Sequence, residues 1–245
     1  MCRLFAVHSS KPIATLAAPF AKLNGLSAKH NDGWGLATFN GDRWTLEHSA
    51  EAASESSRFA QLGLGPKANV ALAHLRLATV GVNAIENNHP FESNGWVFMH
   101  NGTLENFEAN RARLEAAIAP PFRSALMGTT DSERLFALYL TEIDGRVDVD
   151  AVEASRALSR VAQLASSICD EPGGAKSKLN VVASNGSVTL AMRNGHTLFT
   201  SDARNALSIA SEPMFPGEWH EVPEGGLVSI DQHLNRQDSL VVDWR

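Results

Sequence analysis

Residues 1–10, "MCRLFAVHSS", put a cysteine directly behind the initiator methionine. Two readings compete for it. In one, Cys2 is the first packed residue of an N-terminal strand, since free cysteine is among the most buried residue types. In the other, removal of Met1 leaves Cys2 with a free α-amino group, so that one residue carries both a nucleophile and its base. The residues behind it, "CRLFAVHS", are apolar on both parities, which suits a strand covered on both faces. The position alone does not choose between a packing thiol and a reactive one.

Composition narrows the field. The chain has 245 residues, 44% of them hydrophobic and 20% charged, enough to bury a sizeable core. A formal charge of −6 without a Lys/Arg cluster gives no footprint for nucleic acid. Cys2 and Cys169 lie too far apart for a disulfide framework, and neither belongs to a CxxC pair. No signal peptide is read at the N-terminus, and no apolar window approaches a membrane span. The expected compartment is the cytoplasm, where a thiol stays reduced. With no internal repeat and no polar linker, residues 2–245 are expected to form one domain.

Along the chain, "SKPIATLAAPFAKL" offers Ser10 as an N-cap and Pro12 in a first turn, which predicts a short helix. "WGLATFNGDRWTLEH" reads as two strands joined at Asn40-Gly41. "ANVALAHLR" and "GWVFMHN" are further strands ending in polar residues. In "TLENFEANRARLEAAI", Leu104, Phe107, Leu114 and Ile118 fall near helical spacing. Thr130 and Glu133 form a capping box ahead of another helix. Asp150 caps a third, with Leu158, Val161, Ala165 and Ile168 on one face. Short strands then return around Asn185-Gly186 and Asn194-Gly195. Strands, a helical middle and strands again predict an α+β fold.

Four polar clusters stand where apolar strands end: Arg76 and Thr79 in "AHLRLATVG", Asn87, Asn88 and His89 in "NNHPF", Asn101 and Gly102 in "FMHNGTLEN", and Asp131 in "GTTDSE". Singly, each reads as a solvated arginine, a polar turn, a turn before a helix, or compensation of a helix dipole. With Cys2 they make a coherent set. A terminal amine, with a reference pKa of about 7.7–8.0, is matched to take a thiol proton near neutrality. Asn101 and the Gly102 N–H suit an oxyanion. Arg76 suits a carboxylate held by two parallel hydrogen bonds, and Asp131 an ammonium group. A carboxylate clamp beside an ammonium site describes the head of an amino acid, with the attacked amide at its far end, as in glutamine.

The ordered set "MCRLFAV", "NDGWGLA", "HLRLATVG", "NNHPF", "HNGTLEN" and "TTDSE" resembles the class II glutamine amidotransferases. The likeness runs from Cys2 to about Leu140 and more weakly through "SNGSVTLAMRNG" and "SIASEPM". It implies a four-layer αββα N-terminal-nucleophile hydrolase sandwich of two antiparallel sheets. It further implies Cys2 as nucleophile, Arg76 with Thr79 at the α-carboxylate, Asn101 with Gly102 as oxyanion hole, and Asp131 at the α-amino group. His89 is expected beside the pocket. Where larger synthases of the family read R-W-A-T-H-G, this chain has Val80 in place of the histidine. No synthase domain follows, so the chain looks like the stand-alone branch, which includes γ-glutamyl hydrolases of the ergothioneine pathway and subunits of glutathione-degrading assemblies.

The expected reaction is hydrolysis of glutamine to glutamate and ammonia through a γ-glutamyl thioester. The alternatives are a γ-glutamyl amine, peptide or thiol metabolite as substrate, a silent γ-glutamyl-binding subunit, and a related Cys2 acylase, which the intact HNG and TDSE segments disfavour. No cofactor is expected, and no metal, since His74, His89 and His100 lack ligand spacing. The expected partner is the small γ-glutamyl substrate, with two outcomes open: a separate enzyme that accepts ammonia, or a substrate whose hydrolysis is itself the purpose. Cys169 reads as an inert packing residue, and Glu212 in "ASEPM" as either a site residue or a solvated loop glutamate. Leaving-group selection is expected from the "NDGWG" and "SEPMF" loops through Trp34 and Phe215.

Overall fold

A computed structural model describes residues 2–65, 67–77 and 84–241. Met1 and Thr79, both singled out in the sequence, lie outside the described residues. Strand β1 (Arg3–Ser9) is followed by helix α1 (Ala17–Leu26), the hairpin of β2 (Trp34–Phe39) and β3 (Trp44–Ser49), helix α2 (Ser57–Leu62) and strand β4 (Val70–Leu75). Strands β5 (Phe91–Ser93) and β6 (Trp96–Thr103) lead into helices α3 (Phe107–Ala117), α4 (Pro120–Ser124), α5 (Asp131–Glu142) and α6 (Ala151–Cys169). Then come β7 (Lys178–Ser184), β8 (Val188–Met192), β9 (Phe199–Ala203), β10 (Ala206–Ala210), β11 (His220–Glu221), β12 (Gly226–Asp231) and β13 (Arg236–Leu240).

The strands form two antiparallel sheets, ordered β11-β9-β10-β1-β4-β2-β3 and β13-β12-β8-β7-β6-β5. Alternation along each strand assigns its two faces. Leu4, Ala6 and Leu72 of the first sheet meet Val97, Met99 and Val182 of the second in one buried cluster. The other face of the first sheet, with Phe5, Val7 and Leu75, packs on Phe20 and Leu23 of α1 and Phe59 of α2. The other face of the second, with Phe98, Val181 and Leu190, lies under Leu114, Phe136 and Leu158 of the helical middle. The layer order is therefore α, β, β, α, as the resemblance implied.

Local signals worked where the chain was free to follow them. The hairpin turn is built on Asn40, whose Oδ1 accepts from the N–H groups of Asp42 and Arg43, with Gly41 at φ +97°. Asp150 caps α6 by accepting from Val152 and Glu153. The capping box at α5 is only half made. Thr130 accepts from Glu133 N–H at 3.3 Å, but the Glu133 carboxylate turns to the N–H groups of Met127 and Gly128.

The helix expected from Ser10 is a correction. Ile13 N–H donates to Ala68 and Leu16 N–H to Gly63, so this stretch runs extended against a distant loop, and α1 starts at Ala17. "NDGWG" also has a structural role. A Cβ on Gly35 would overlap the His89 carbonyl, and one on Gly33 (φ +121°) would overlap the Asn88 amide. The two glycines let the 87–91 loop lie across β2. Among the described residues, no helix is long and apolar enough to cross a membrane.

Candidate active site

The antiparallel register of β1 with β4 pairs Arg3 with Leu75 and Leu4 with His74. Extended by one residue, it sets Cys2 beside Arg76. Cys2 shares the parity of Leu4 and Ala6, and Arg76 that of Leu72, so both belong to the face turned toward the second sheet. On β6, Asn101 shares the parity of Val97 and Met99, which sit in the same inter-sheet cluster. Three residues remote in sequence thus converge because two strands of one sheet and one of the other end at the same rim.

Among the described residues, the sulfur is gripped by backbone. Leu77 N–H donates to Cys2 Sγ at 3.3 Å, and the thiol donates to the Leu77 carbonyl at 3.4 Å. Burial pushes the Cys2 thiol above its ordinary value, against the pull of the Leu77 N–H and the Arg76 charge, while Asp131 adds to the rise. The thiol therefore needs a base to become a nucleophile at neutral pH. No imidazole makes a hydrogen bond to the sulfur among the described residues.

Cys2, Asn101 and Gly102 line one cavity of about 450 Å³, with Leu77, Thr103, Glu105, Lys178 and His196. Asn101 is buried, and its Nδ2 has no hydrogen-bond partner among the described residues. A buried amide donor left unpaired costs about 1–3 kcal/mol, which is unusual unless a ligand oxygen completes it. Gly102 is glycine because a Cβ would overlap the Lys178 carbonyl across the β6–β7 ladder.

The remaining predicted residues surround this core at different depths. Arg76 is buried; its N–H donates to Gly33 at 2.9 Å, and its charge acts on Cys2 and Asp32. Asp131 is buried at the start of α5, where Oδ2 accepts from Leu104 N–H and Oδ1 from Ser132 N–H, both at 2.8 Å. Neither side chain lines the Cys2 cavity. His89 does not line it either: it meets His74 and Phe91 edge to face, with Nδ1 3.1 Å from His74 Nε2. Asn87 ties the loop to the next motif by accepting from Thr129 N–H at 2.9 Å.

Two expectations about the pocket mouth are overturned. Trp34 is buried against Phe59 in the sheet–helix core, and Phe215 packs on Trp219 beside a separate cavity lined by Phe5 and Val7. Both residues belong to the α1–α2 side of the first sheet and not to the face that carries Cys2. Sequence reasoning missed Leu77, Lys178 and His196. Leu77 acts through its backbone and leaves no side-chain signal. Lys178 arrives because β7 pairs with β6, opposite Thr103. Burial, together with Lys178, holds His196 down to about 4, so it is neutral at pH 7.

The family described as glutamine amidotransferases class-II matches residues 1–206. A probable glutamine amidotransferase of Saccharomyces cerevisiae is 31% identical over 121 residues, 47% of this chain and 34% of that protein. The match therefore spans about a third of that relative's length. A gamma-glutamyl-hercynylcysteine sulfoxide hydrolase of Mycolicibacterium smegmatis is 28% identical over 89% of this chain and 85% of its own. The solved structure of a glutamine aminotransferase class-II domain protein from Silicibacter pomeroyi superimposes with a TM-score of 0.70, covering 99% of this chain and all of that one, at 24% identity. That last likeness speaks to the fold.

Proposed function

The chain belongs to the class II glutamine amidotransferases, and from that premise we propose that it hydrolyses a γ-glutamyl amide through a thioester on Cys2, with residues 2–245 working as one domain. The observation that carries the reading is that Cys2 and Asn101 line one cavity, and that the buried Asn101 Nδ2 has no hydrogen-bond partner among the described residues. Once Met1 is removed, the α-amine of Cys2 takes the thiol proton, and the thiolate attacks the γ-carbonyl carbon. The tetrahedral oxyanion is met by Asn101 Nδ2 and the Gly102 N–H, and one such donor is worth about 10²–10³ in rate. The ammonium returns its proton to the departing amine. Water, deprotonated by the same amine, then cleaves the thioester. Arg76, with Thr79, takes the substrate α-carboxylate, and Asp131 its α-ammonium.

Glutamine is the simplest substrate. A larger leaving group is the alternative: the cavity of about 450 Å³ beside Cys2 holds the glutamyl group together with whatever leaves it. A γ-glutamyl amine, peptide or thiol metabolite uses that space; with glutamine, an ammonia-accepting partner enzyme would dock there. The test is hydrolysis of glutamine and of a γ-glutamyl panel by Met1-free protein, with intact mass verifying the processing. We expect slow glutaminase activity and a kcat/KM at least about tenfold higher on some γ-glutamyl amine or peptide, a difference of about 1.4 kcal/mol. Cys2→Ala should abolish turnover. Fast turnover by protein that retains Met1 would sink the amine-base mechanism.

A further inference from the structure

The ladder that holds the N-terminal strand begins at Arg3, so Cys2 lies before it. On the other flank, pairing of β1 with β10 starts only at Phe5 and Ala210. The "SEP" segment takes over beyond that point. Ser211 Oγ accepts from Leu4 N–H at 3.1 Å, and Ser211 N–H donates to the Leu4 carbonyl at 3.0 Å. Glu212 Oε1 then accepts from Arg3 Nε at 2.7 Å, while Oε2 lies 3.4 Å from Lys22 Nζ of α1. Arg3 uses its other arm on the nucleophile's own backbone: Nη1 donates to the Cys2 carbonyl at 3.1 Å. Burial opposes ionisation of Glu212, but Arg3 and Lys22 hold its carboxyl below the ordinary value.

We propose that Arg3, gripped by Glu212, is the positioning residue for Cys2, fixing the processed terminus and biasing its amine toward the free base. The inference rests on the reading of Cys2 as nucleophile. A chain terminus frays unless it is tied down, and removal of Met1 makes Cys2 that terminus. Leu77 then holds its sulfur, and Arg3 holds its carbonyl. The amine lies within about 4 Å of its own carbonyl oxygen by covalent geometry, so the guanidinium is a near neighbour and disfavours the ammonium form. Arg76, whose charge acts on the Cys2 thiol, works in the same sense, and Asp131 oppositely. Lys178 and Glu105 of the cavity lining and the Lys22–Glu212 pair are further charged groups around it, Glu212 offsetting Arg3, and His196 is neutral. Glu212 therefore both orients Arg3 and tempers its charge.

The experiment compares Arg3→Met, Arg3→Lys and Glu212→Gln in Met1-free enzyme. The readouts are kcat and KM on the best γ-glutamyl substrate, the pH profile of kcat/KM, and iodoacetamide labelling of Cys2 mapped by peptide so that Cys169 is not counted. Arg3→Met should lower kcat about ten- to a hundredfold with KM little changed, the scale of a misplaced reacting group. It should also move the acidic limb up by about half a pH unit and slow labelling at neutral pH. Glu212→Gln should lower kcat too, yet move the limb down and quicken labelling. Arg3→Lys, which keeps the charge without the fork, should lose kcat with the limb unmoved. A merely structural role would lower kcat in step with the thermal midpoint and leave the acidic limb of Arg3→Met unmoved, and that outcome overturns the proposal. So does unchanged kcat in Glu212→Gln, the variant that decides if Arg3→Met fails to fold. If the wild type cleaves no γ-glutamyl compound, the reading of Cys2 fails, and the opposed labelling rates still test the bracket.

Discussion

Arg76 and Asp131 act with opposite charge on the same thiol but are embedded differently. Arg76 is anchored through its own backbone to Gly33, so truncating its side chain removes a cation and spares that hydrogen bond. Asp131 holds Leu104 N–H in the turn that follows Gly102, so its removal orphans a buried donor, at about 1–3 kcal/mol. Arg76→Ala should therefore raise KM about tenfold or more, the loss of a charge-assisted pair. Asp131→Ala should raise KM and also lower the midpoint, by about 2–4 °C per kcal/mol for a chain of this size. Asn101→Ala should instead lower kcat by about 10²–10³ with KM little changed, because its bond strengthens only as the oxyanion forms. Steady-state kinetics beside thermal melts separate the three. An unchanged KM in Arg76→Ala would remove the carboxylate assignment.

At the scale of elements, the signals that could be read were those whose physics is local. Asp150 bonds the second and third N–H groups beyond it whatever the rest of the chain does. It is exposed, so Asp150→Ala should cost about 1 kcal/mol in denaturant unfolding and leave kcat/KM unchanged. The Asn40 turn is local in the same way. The stretch 10–16 was misread because its fate depends on Gly63 and Ala68, about fifty residues on, which satisfy its backbone N–H groups. The same limit governed the site. Cys2, Asn101 and Gly102 could be found because each sits at a strand end with a recognisable residue type. Lys178 and His196 could not, since the β6–β7 pairing that brings Lys178 opposite Thr103 has no short-range signature. Trp34 and Phe215 misled for a third reason. A loop motif fixes where the backbone goes, while strand parity turns Trp34 of β2 to the helix-covered face; Phe215, between β10 and β11, packs on Trp219 on that same side.

Across the whole molecule, the contact between the sheets is not purely apolar, and this should make the fold acid-sensitive. His8 follows Leu4 and Ala6 on the inner face of β1, and its Nδ1 lies 2.8 Å from Thr189 Oγ1 of β8 in the opposite sheet. His74, on β4, meets His89, which in turn packs edge to face with Phe91 of β5, so this pair also bridges the sheets. Burial lowers all three: His8 to about 4, His74 to about 3, where Arg76 adds to the effect, and His89 well below its ordinary value. The unfolded chain binds protons at these imidazoles from about pH 6.5 downward, while the folded chain does not. Stability is therefore complete above that pH and falls as pH drops toward the folded values, by up to about 1.4 kcal/mol per pH unit for each histidine. Between pH 7 and 5.5, each should remove about 1 kcal/mol. Carboxylates such as Glu212, with lowered values, release their share only at lower pH. Urea unfolding at pH 7.0 and 5.5 should show a drop of at least about 3 kcal/mol, since burial lowers His48, His100 and His196 as well. The midpoint should fall with an unchanged m-value, because the unfolded state changes in protonation and not in exposed surface. His8→Asn, which keeps a polar partner for Thr189 without a titrating ring, should recover about 1 kcal/mol of that drop. A midpoint that does not move between the two pH values would mean that the imidazoles titrate alike in both states, and that the inter-sheet contact admits charge.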